Sequence, residues 1–337
     1  MKRMENERKL QRKSKRERRG ELSREELLLI SDDIVEIEYT FEELLEIFIE
    51  DCELRNLREH TIKYYRSELN AFIKLLKEQE IELRVSKWTG ETIKRNVIMY
   101  MKEKGLKTVS INSRLRAMRA FFNFLEGRNL IKSNPMKDIK LLRDRKRIVE
   151  TFDKQQIKAL FKACDLRTFL GLRDYTIMML LLETGVRVNE LVGIKTTDII
   201  WEQKVIRIRN TKGGFERFVP IQDKMRNQLK KYLIVRGNVD TDYLFITQDN
   251  TPLSKKQVQD RIREYGKKAG IENVRCSPHT FRHTFAKLCV LNGANAFQLQ
   301  AILGHTSLEV TKVYVNLFSN EVQQGHAKFS PINSLFK

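Results

Sequence analysis

The sequence predicts a mainly α protein of two domains, a compact four-helix domain followed by a larger helical domain that carries a small antiparallel sheet. Three observations predict it. At 337 residues the chain is long enough to bury two cores. From Thr40 to about Lys132 there is no proline, and apolar residues recur at helical spacing. In the second half, "KVIRIRN" and "ERFVPI" alternate as strands around "TKGG", whose glycines suit a tight turn.

Residues 1–38 read as a basic leader. Its first 20 residues hold ten basic and three acidic side chains, hence +7, and no apolar h-region. "SREELLLI" carries a capping-box pattern from Ser23 to Glu26, which predicts a short helix. Residues 39–132 form the first domain. Thr40 and Glu43 make a second capping box, and Ile62, Tyr65, Leu69, Phe72, Ile73 and Leu76 form an apolar stripe. In 108–126, Ile111, Leu115, Met118, Phe122 and Leu125 step by 4, 3, 4 and 3. Asn112, Arg116, Arg119 and Asn123 keep the same rhythm on the opposite face. That face is either solvated or laid against DNA, and its lack of acidic residues favours DNA.

"KSNPMKDIKLLRDRKR" holds Pro135, the first proline of the chain, and little apolar periodicity, so residues 133–148 read as the interdomain linker. The second domain, 149–318, opens with helices near 154–165 and 171–184. After the hairpin come helices near 222–235, 255–268, 279–291, 296–303 and 307–314. Ser277 followed by Pro278 is a good helix start. The tail, 319–337, is rich in apolar residues.

Net charge is the strongest compositional fact: 64 Lys+Arg against 44 Asp+Glu gives +20. With +7 in the leader, +13 is spread over the remaining chain, and a basic body favours a polyanion, most simply nucleic acid. No apolar run reaches membrane-spanning length. Cys52, Cys164, Cys276 and Cys289 are scattered without a C-x-x-C pair, which fits reduced thiols in the cytoplasm and supplies no zinc framework.

Four stretches of the second domain collect residues able to do chemistry. Arg187 sits in "ETGVRVNEL" between apolar runs; it is either a structural arginine paired with Glu190 or a planar fork for phosphate oxygens. Lys212 occupies the hairpin tip, as a plain turn residue or as an ammonium delivered by a loop. His279, Arg282 and His283 stand at i, i+3 and i+4 on one helical face, a spacing open to metal, phosphate or packing. His305 follows in "ILGHTSLEVTKVYVNLF", with Tyr314 nine residues on.

Taken in order, "TGVRVNEL", Lys212, "HTFRHT", "LGH" and Tyr314 resemble the signature of the tyrosine recombinases, the phage integrase family that includes the Xer enzymes. Phe281 stands where the family most often has leucine, and Lys204, on the strand preceding the turn, is the other candidate for the hairpin lysine. The resemblance spans roughly 40–320. It implies a SAM-like core-binding domain over the first helices and the tyrosine-recombinase catalytic fold over the second domain. Its implied reaction transfers a DNA phosphoryl group to Tyr314, with Arg187 and Arg282 clamping the non-bridging oxygens. His279 would act as base, Lys212 would protonate the departing 5′ oxygen, and His305 would hydrogen-bond the phosphate. Glu190 and His283 would orient these groups. No cofactor and no metal is implied, because charge and protons are handled by side chains. The implied partner is double-stranded DNA with inverted half-sites, gripped by a homotetramer on two sites, with the tail docking on a neighbour or closing its own core. The long basic leader leans toward integration, excision or transposition of a mobile element; dimer resolution of the Xer type is the alternative.

Three rivals share some of these features. A zinc hydrolase would use His279 and His283, but Thr-Phe-Arg lies between them with no glutamate base, and Arg282 would repel the metal. A DNA-binding protein of the same fold without chemistry would have no use for a tyrosine at that spacing. A relaxing type IB topoisomerase has the same active-site type, but the four-helix domain and "LGH" point to recombination.

Overall fold

The computed structural model describes residues 39–144, 149–209, 216–305, 307 and 311; the leader, Lys212, Tyr314 and the tail lie outside them. The chain divides into two compact units, Met1–Lys146 and Arg147–Lys337.

In the first unit, α1 (Phe41–Leu54) starts at the expected box: Thr40 Oγ1 accepts from the Glu43 amide while Glu43 accepts from the Thr40 amide. The α2 helix (Glu59–Lys77) buries Leu69, Phe72, Ile73 and Leu76. Three consecutive stretches, Gly90–Thr92, Ile93–Met99 and Tyr100–Glu103, run on as one rod, α3, whose middle stretch is π-helical. The α4 helix (Thr108–Gly127) buries its whole expected stripe. Phe41, Phe48, Phe72, Trp88, Phe121 and Phe122 form the aromatic centre of this core. Aromatic pairs at these separations, 5.0 to 6.0 Å, add about 0.5–1.5 kcal/mol each beyond area burial.

Two expectations change here. Much of the predicted linker is a strap on the first unit, since Met136 and Ile139 are buried in its core. The polar face of α4 holds that strap. Asn112 is 5% exposed, donates to the Leu142 carbonyl at 2.9 Å and accepts from the Leu142 amide at 2.8 Å. Arg119 donates to the Ile139 carbonyl, and Asn123 accepts from Asn134. A buried amide with both ends bonded to the strap's backbone is not available to DNA, so Asn112 leaves the candidate contact set; Arg116 stays exposed. The sequence hid this because an asparagine holding backbone reads the same as one facing solvent. Asn112→Ala is expected to cost about 1 kcal/mol, the low end of the penalty for unpaired peptide groups because Leu142 is only part-buried. Faster hydrogen exchange at the Leu142 amide, with α2 unaffected, checks it.

In the second unit, α5 (Lys154–Lys162), α6 (Phe169–Thr184) and α7 (Val188–Val192) precede a three-stranded antiparallel sheet. Its strands are β1 (Ile199–Ile200), β2 (Val205–Ile208) and β3 (Arg217–Pro220), with Ile199 opposite Ile206 and Ile208 opposite Arg217. Ile206, Ile208 and Val219 point into the core. The hairpin is the predicted one; β1, only two residues long, had no alternation to reveal it. Then come α8 (Asp223–Arg236), α9 (Lys255–Lys268), α10 (Pro278–Leu291) and α11 (Ala296–Leu303), close to expectation. The predicted helix near 307–314 falls largely outside the described residues. Helix α6 is central, packing on α8, α9 and α10. Its buried Arg173 and Asp174 bond each other at 2.7 Å, and Asp174 also accepts from Arg261 of α9 at 2.7 Å. Among the described residues no helix is long and apolar enough to cross a membrane.

Candidate active site

The site forms where the ends of α6 and α11 meet the start of α10. Helix α6 stops at Gly185, whose φ of +60° is left-handed. A Cβ there would lie 2.4 Å from Phe285 and 2.8 Å from Leu303, so the position needs glycine twice over. The chain then turns Arg187 into the N-cap position of α7.

Arg187 is held on two sides. Its amide donates to Glu190 Oε2 at 2.8 Å and its Nη1 to Glu190 Oε1 at 3.0 Å. The same guanidinium reaches the Leu303 carbonyl at 3.3 Å and the Gly304 carbonyl at 3.4 Å. A quarter of the side chain stays exposed (25%).

Helix α10 begins as expected: Ser277 Oγ accepts from the Thr280 amide, and Pro278 fills the first position. Its inner face buries Phe281 against Phe152, a role any large apolar side chain could fill. Arg282, 4% exposed, comes with it. Nη1 donates to the Gly185 carbonyl at 2.7 Å, and Nη2 to the Leu303 carbonyl at 2.9 Å and to His305 Nε2 at 2.7 Å. Arginine has no acceptor, so His305 Nε2 accepts, the proton sits on Nδ1, and Nδ1 donates to Thr311 Oγ1 at 2.9 Å. Burial, then Arg282, Arg187 and Arg217, press the His305 pKa down to about 4, against a small opposing effect of Glu190. His305 is therefore neutral at pH 7.

Arginines 187 and 282, almost a hundred residues apart, thus converge on one oxygen, the Leu303 carbonyl. A third arginine escaped sequence reasoning. Arg217 of β3 grips Glu190 with both ends of its fork, at 2.9 and 2.7 Å, and donates through Nε to the Ile302 carbonyl at 2.9 Å. It lies across Gly304, where a Cβ would stand 3.0 Å from the guanidinium. Its only sequence signal was a basic residue among the apolar positions of a strand. Burial pushes the Glu190 carboxyl up, but the bonds from Arg217 and Arg187 prevail and its pKa is lowered.

His279 and His283 lie on α10 one turn apart. They help line a pocket of about 380 Å³ with Glu150, Arg263, Arg275 and Cys276. Desolvation, followed by Arg282, Arg275 and Arg187, lowers the His279 pKa. His283 is lowered by burial and then by His279 and Arg282. Among the described residues no group of three or more His, Cys, Asp or Glu is placed to hold a metal. Lys204 sits in the β1–β2 turn and pairs with Asp223 at 3.1 Å.

Two family models match the chain: the phage integrase family over residues 150–321, and the phage integrase N-terminal SAM-like domain over 45–129. The tyrosine recombinase XerD of Shewanella oneidensis is 28% identical over 299 residues, 87% of this chain and 98% of that protein. The tyrosine recombinase XerC of Syntrophus aciditrophicus is 31% identical over 291 residues, 82% and 93% of the two chains. A lambda integrase tetramer bound to a Holliday junction has the same fold, with a TM-score of 0.69 at 18% identity, covering 82% of this chain and 78% of that one.

Proposed function

Because the chain belongs to the phage integrase family, and so is a tyrosine-type recombinase that breaks and rejoins DNA, we propose that its reaction centre is the convergence of Arg187 and Arg282 at the Leu303 carbonyl, with Tyr314 as nucleophile. That shared contact carries the reading: two guanidinium forks that meet at one oxygen are spaced to take two oxygens of one phosphate.

The Tyr314 hydroxyl attacks the scissile phosphorus while the bond to the 5′ oxygen breaks. Phenol, with an ordinary pKa of about 10, is protonated at pH 7 and needs a base. His279 takes that proton; its lowered pKa keeps it neutral and able to accept. Lys212 gives a proton to the departing 5′ oxygen. Arg187 and Arg282 neutralise charge on the non-bridging oxygens. His305, accepting from Arg282 through Nε2 and donating to Thr311 through Nδ1, aims the Arg282 fork; its own hydrogen bond to the phosphate requires the other tautomer, with Nε2–H released from Arg282. The products are a 3′-phosphotyrosyl enzyme and a free 5′ hydroxyl, so rejoining needs no external energy source. Glu190 orients Arg187, and His283, one turn on from His279 on the same face, helps to orient it.

The DNA partner has inverted half-sites, bound by four protomers with the 319–337 tail docking on a neighbour; the lambda integrase tetramer is the precedent for the assembly. Arg116, Arg119 and Asn123 remain the α4 contacts to DNA. The enzyme works in the cytoplasm, on integration, excision or transposition of a mobile element. Dimer resolution is favoured by a separate observation, the Xer names of relatives aligned over most of this chain. Sequencing DNA bound to the protein in its host decides between these roles: one chromosomal site supports resolution, and element ends support mobility.

A nicked duplex that traps covalent intermediates tests the chemistry. Wild-type protein is expected to form a denaturation-resistant DNA adduct, undiminished by excess EDTA, and Tyr314→Phe to form none. An adduct from Tyr314→Phe would remove Tyr314 as nucleophile.

A further inference from the structure

We infer that Arg217 is a positioning residue of the recombinase reaction: by taking both oxygens of Glu190, it cancels the carboxylate's charge and leaves the positive charge of Arg187 for the phosphate. The inference rests on the reading of Arg187 as a phosphate ligand.

Glu190 is 3% exposed and abuts Arg187 at 3.0 Å. Alone, the two would form a neutral ion pair, a poor binder of an anion. Attack by a phenol on a phosphodiester adds negative charge on the non-bridging oxygens, so a neutralised Arg187 would be lost where it is most needed. Arg217 changes the balance. Its fork covers Glu190 at 2.9 and 2.7 Å, at least as close as Arg187 comes, in the bidentate geometry that makes such pairs strong. Three arginines (Arg187, Arg217 and Arg282) against one carboxylate leave the site at +2; without Arg217 it falls to +1.

Position supports the same role. Arg217 is anchored by the Ile302 carbonyl and lies across Gly304, beside the carbonyls that hold Arg187. It acts on the phosphate only through Glu190 and Arg187. As one of the charges that depress the His305 pKa, it is also open to a spectroscopic readout.

The test uses full-length protein carrying Arg217→Met, Arg217→Lys, and Arg217→Met combined with Glu190→Gln. Glutamine keeps the acceptor for the Arg187 amide and drops the charge. On the nicked duplex, Arg217→Met is expected to form adduct about 10²-fold more slowly, comparable to losing one transition-state donor. The double variant is expected to recover at least tenfold of that, and Arg217→Lys to stay within about tenfold of wild type. A purely architectural role predicts a double variant no faster than Arg217→Met and a lysine variant as slow as methionine; either result overturns the proposal. In parallel, NMR titration should show the His305 pKa rising from about 4 in Arg217→Met and falling back in the double variant. An unmoved His305 also overturns it. Should the wild type form no adduct, the Tyr314 chemistry fails, and the imidazole titration still judges whether Arg217 offsets Glu190. If Arg217→Met does not fold, the lysine variant decides between the positioning and the architectural role.

Discussion

Arg282→Ala is expected to slow covalent adduct formation by about 10³- to 10⁵-fold, the range for an arginine that stabilises charge in phosphoryl transfer. The structure gives two reasons for an effect this large. Arg282 meets a carbonyl it shares with Arg187, so its loss removes half of the proposed phosphate clamp. Its loss also leaves the Gly185 carbonyl and His305 Nε2 without this donor in a buried setting. Arg282→Lys should recover little, because one ammonium cannot span acceptors on α6, α11 and His305 as a planar fork does. Single-turnover cleavage of the nicked duplex, with gel-shift affinity measured alongside, checks the prediction. The loss should fall on the rate, with affinity changed far less, since DNA affinity is shared among many phosphate contacts. Cleavage within tenfold of wild type would place Arg282 outside the reaction.

The second large effect is on stability. Glu190→Ala leaves Arg187 and Arg217 facing each other across an empty site. Breaking a buried pair costs about 3–5 kcal/mol, and the low end, about 3, applies because Arg187 stays partly exposed. Acid titration gives this a direction. The Glu190 carboxyl, lowered in the folded state, contributes stability that is present above the unfolded carboxyl value of about 4.3 and is lost as pH falls through the lower folded value. His305, depressed to about 4, contributes stability present above about 6.5 and lost as pH falls toward 4. The wild type should therefore weaken in two stages, first from about pH 6.5 and then below about 4.3. Glu190→Ala should show a shallower second stage, the remainder being carried by other lowered carboxyls such as Asp198. Denaturant unfolding at a series of pH values measures both, and an unchanged low-pH limb in the variant would show that Glu190 does not carry it.

Helices were the legible part of this chain, because burial on one face writes itself as spacing: the α4 stripe and the Thr40–Glu43 box are in place residue for residue. The starts of α5, α9 and α11 are written in the same code, as Asp153 with Gln156, Ser254 with Gln257 and Asn295 with Gln298. The π-helical turns in α3 left no trace, since a single widened turn keeps a nearly helical period. In the site, Arg187, Glu190, Arg282 and His305 were legible through short motifs. Arg217 was not, because its meaning depends on a pairing across 27 positions that no local pattern encodes. Asn112 misleads for the same reason: its partner, Leu142, is 30 residues away and offers only backbone.

Two of the acceptors that hold Arg282 are main-chain oxygens, those of Gly185 and Leu303, and a third is His305 Nε2. A peptide oxygen survives substitution of the side chain attached to it, provided the turn keeps its shape. At Leu303 the lineage is therefore free to exchange one apolar side chain for another while retaining the arginine's aim. What selection must guard is the curvature at Gly185 and Gly304, both left-handed, rather than the lettering of the helices that lead into them. A library randomised at position 303 should accordingly return members with other large apolar side chains, since Leu303 is fully buried in an apolar cluster, and one randomised at 185 almost none.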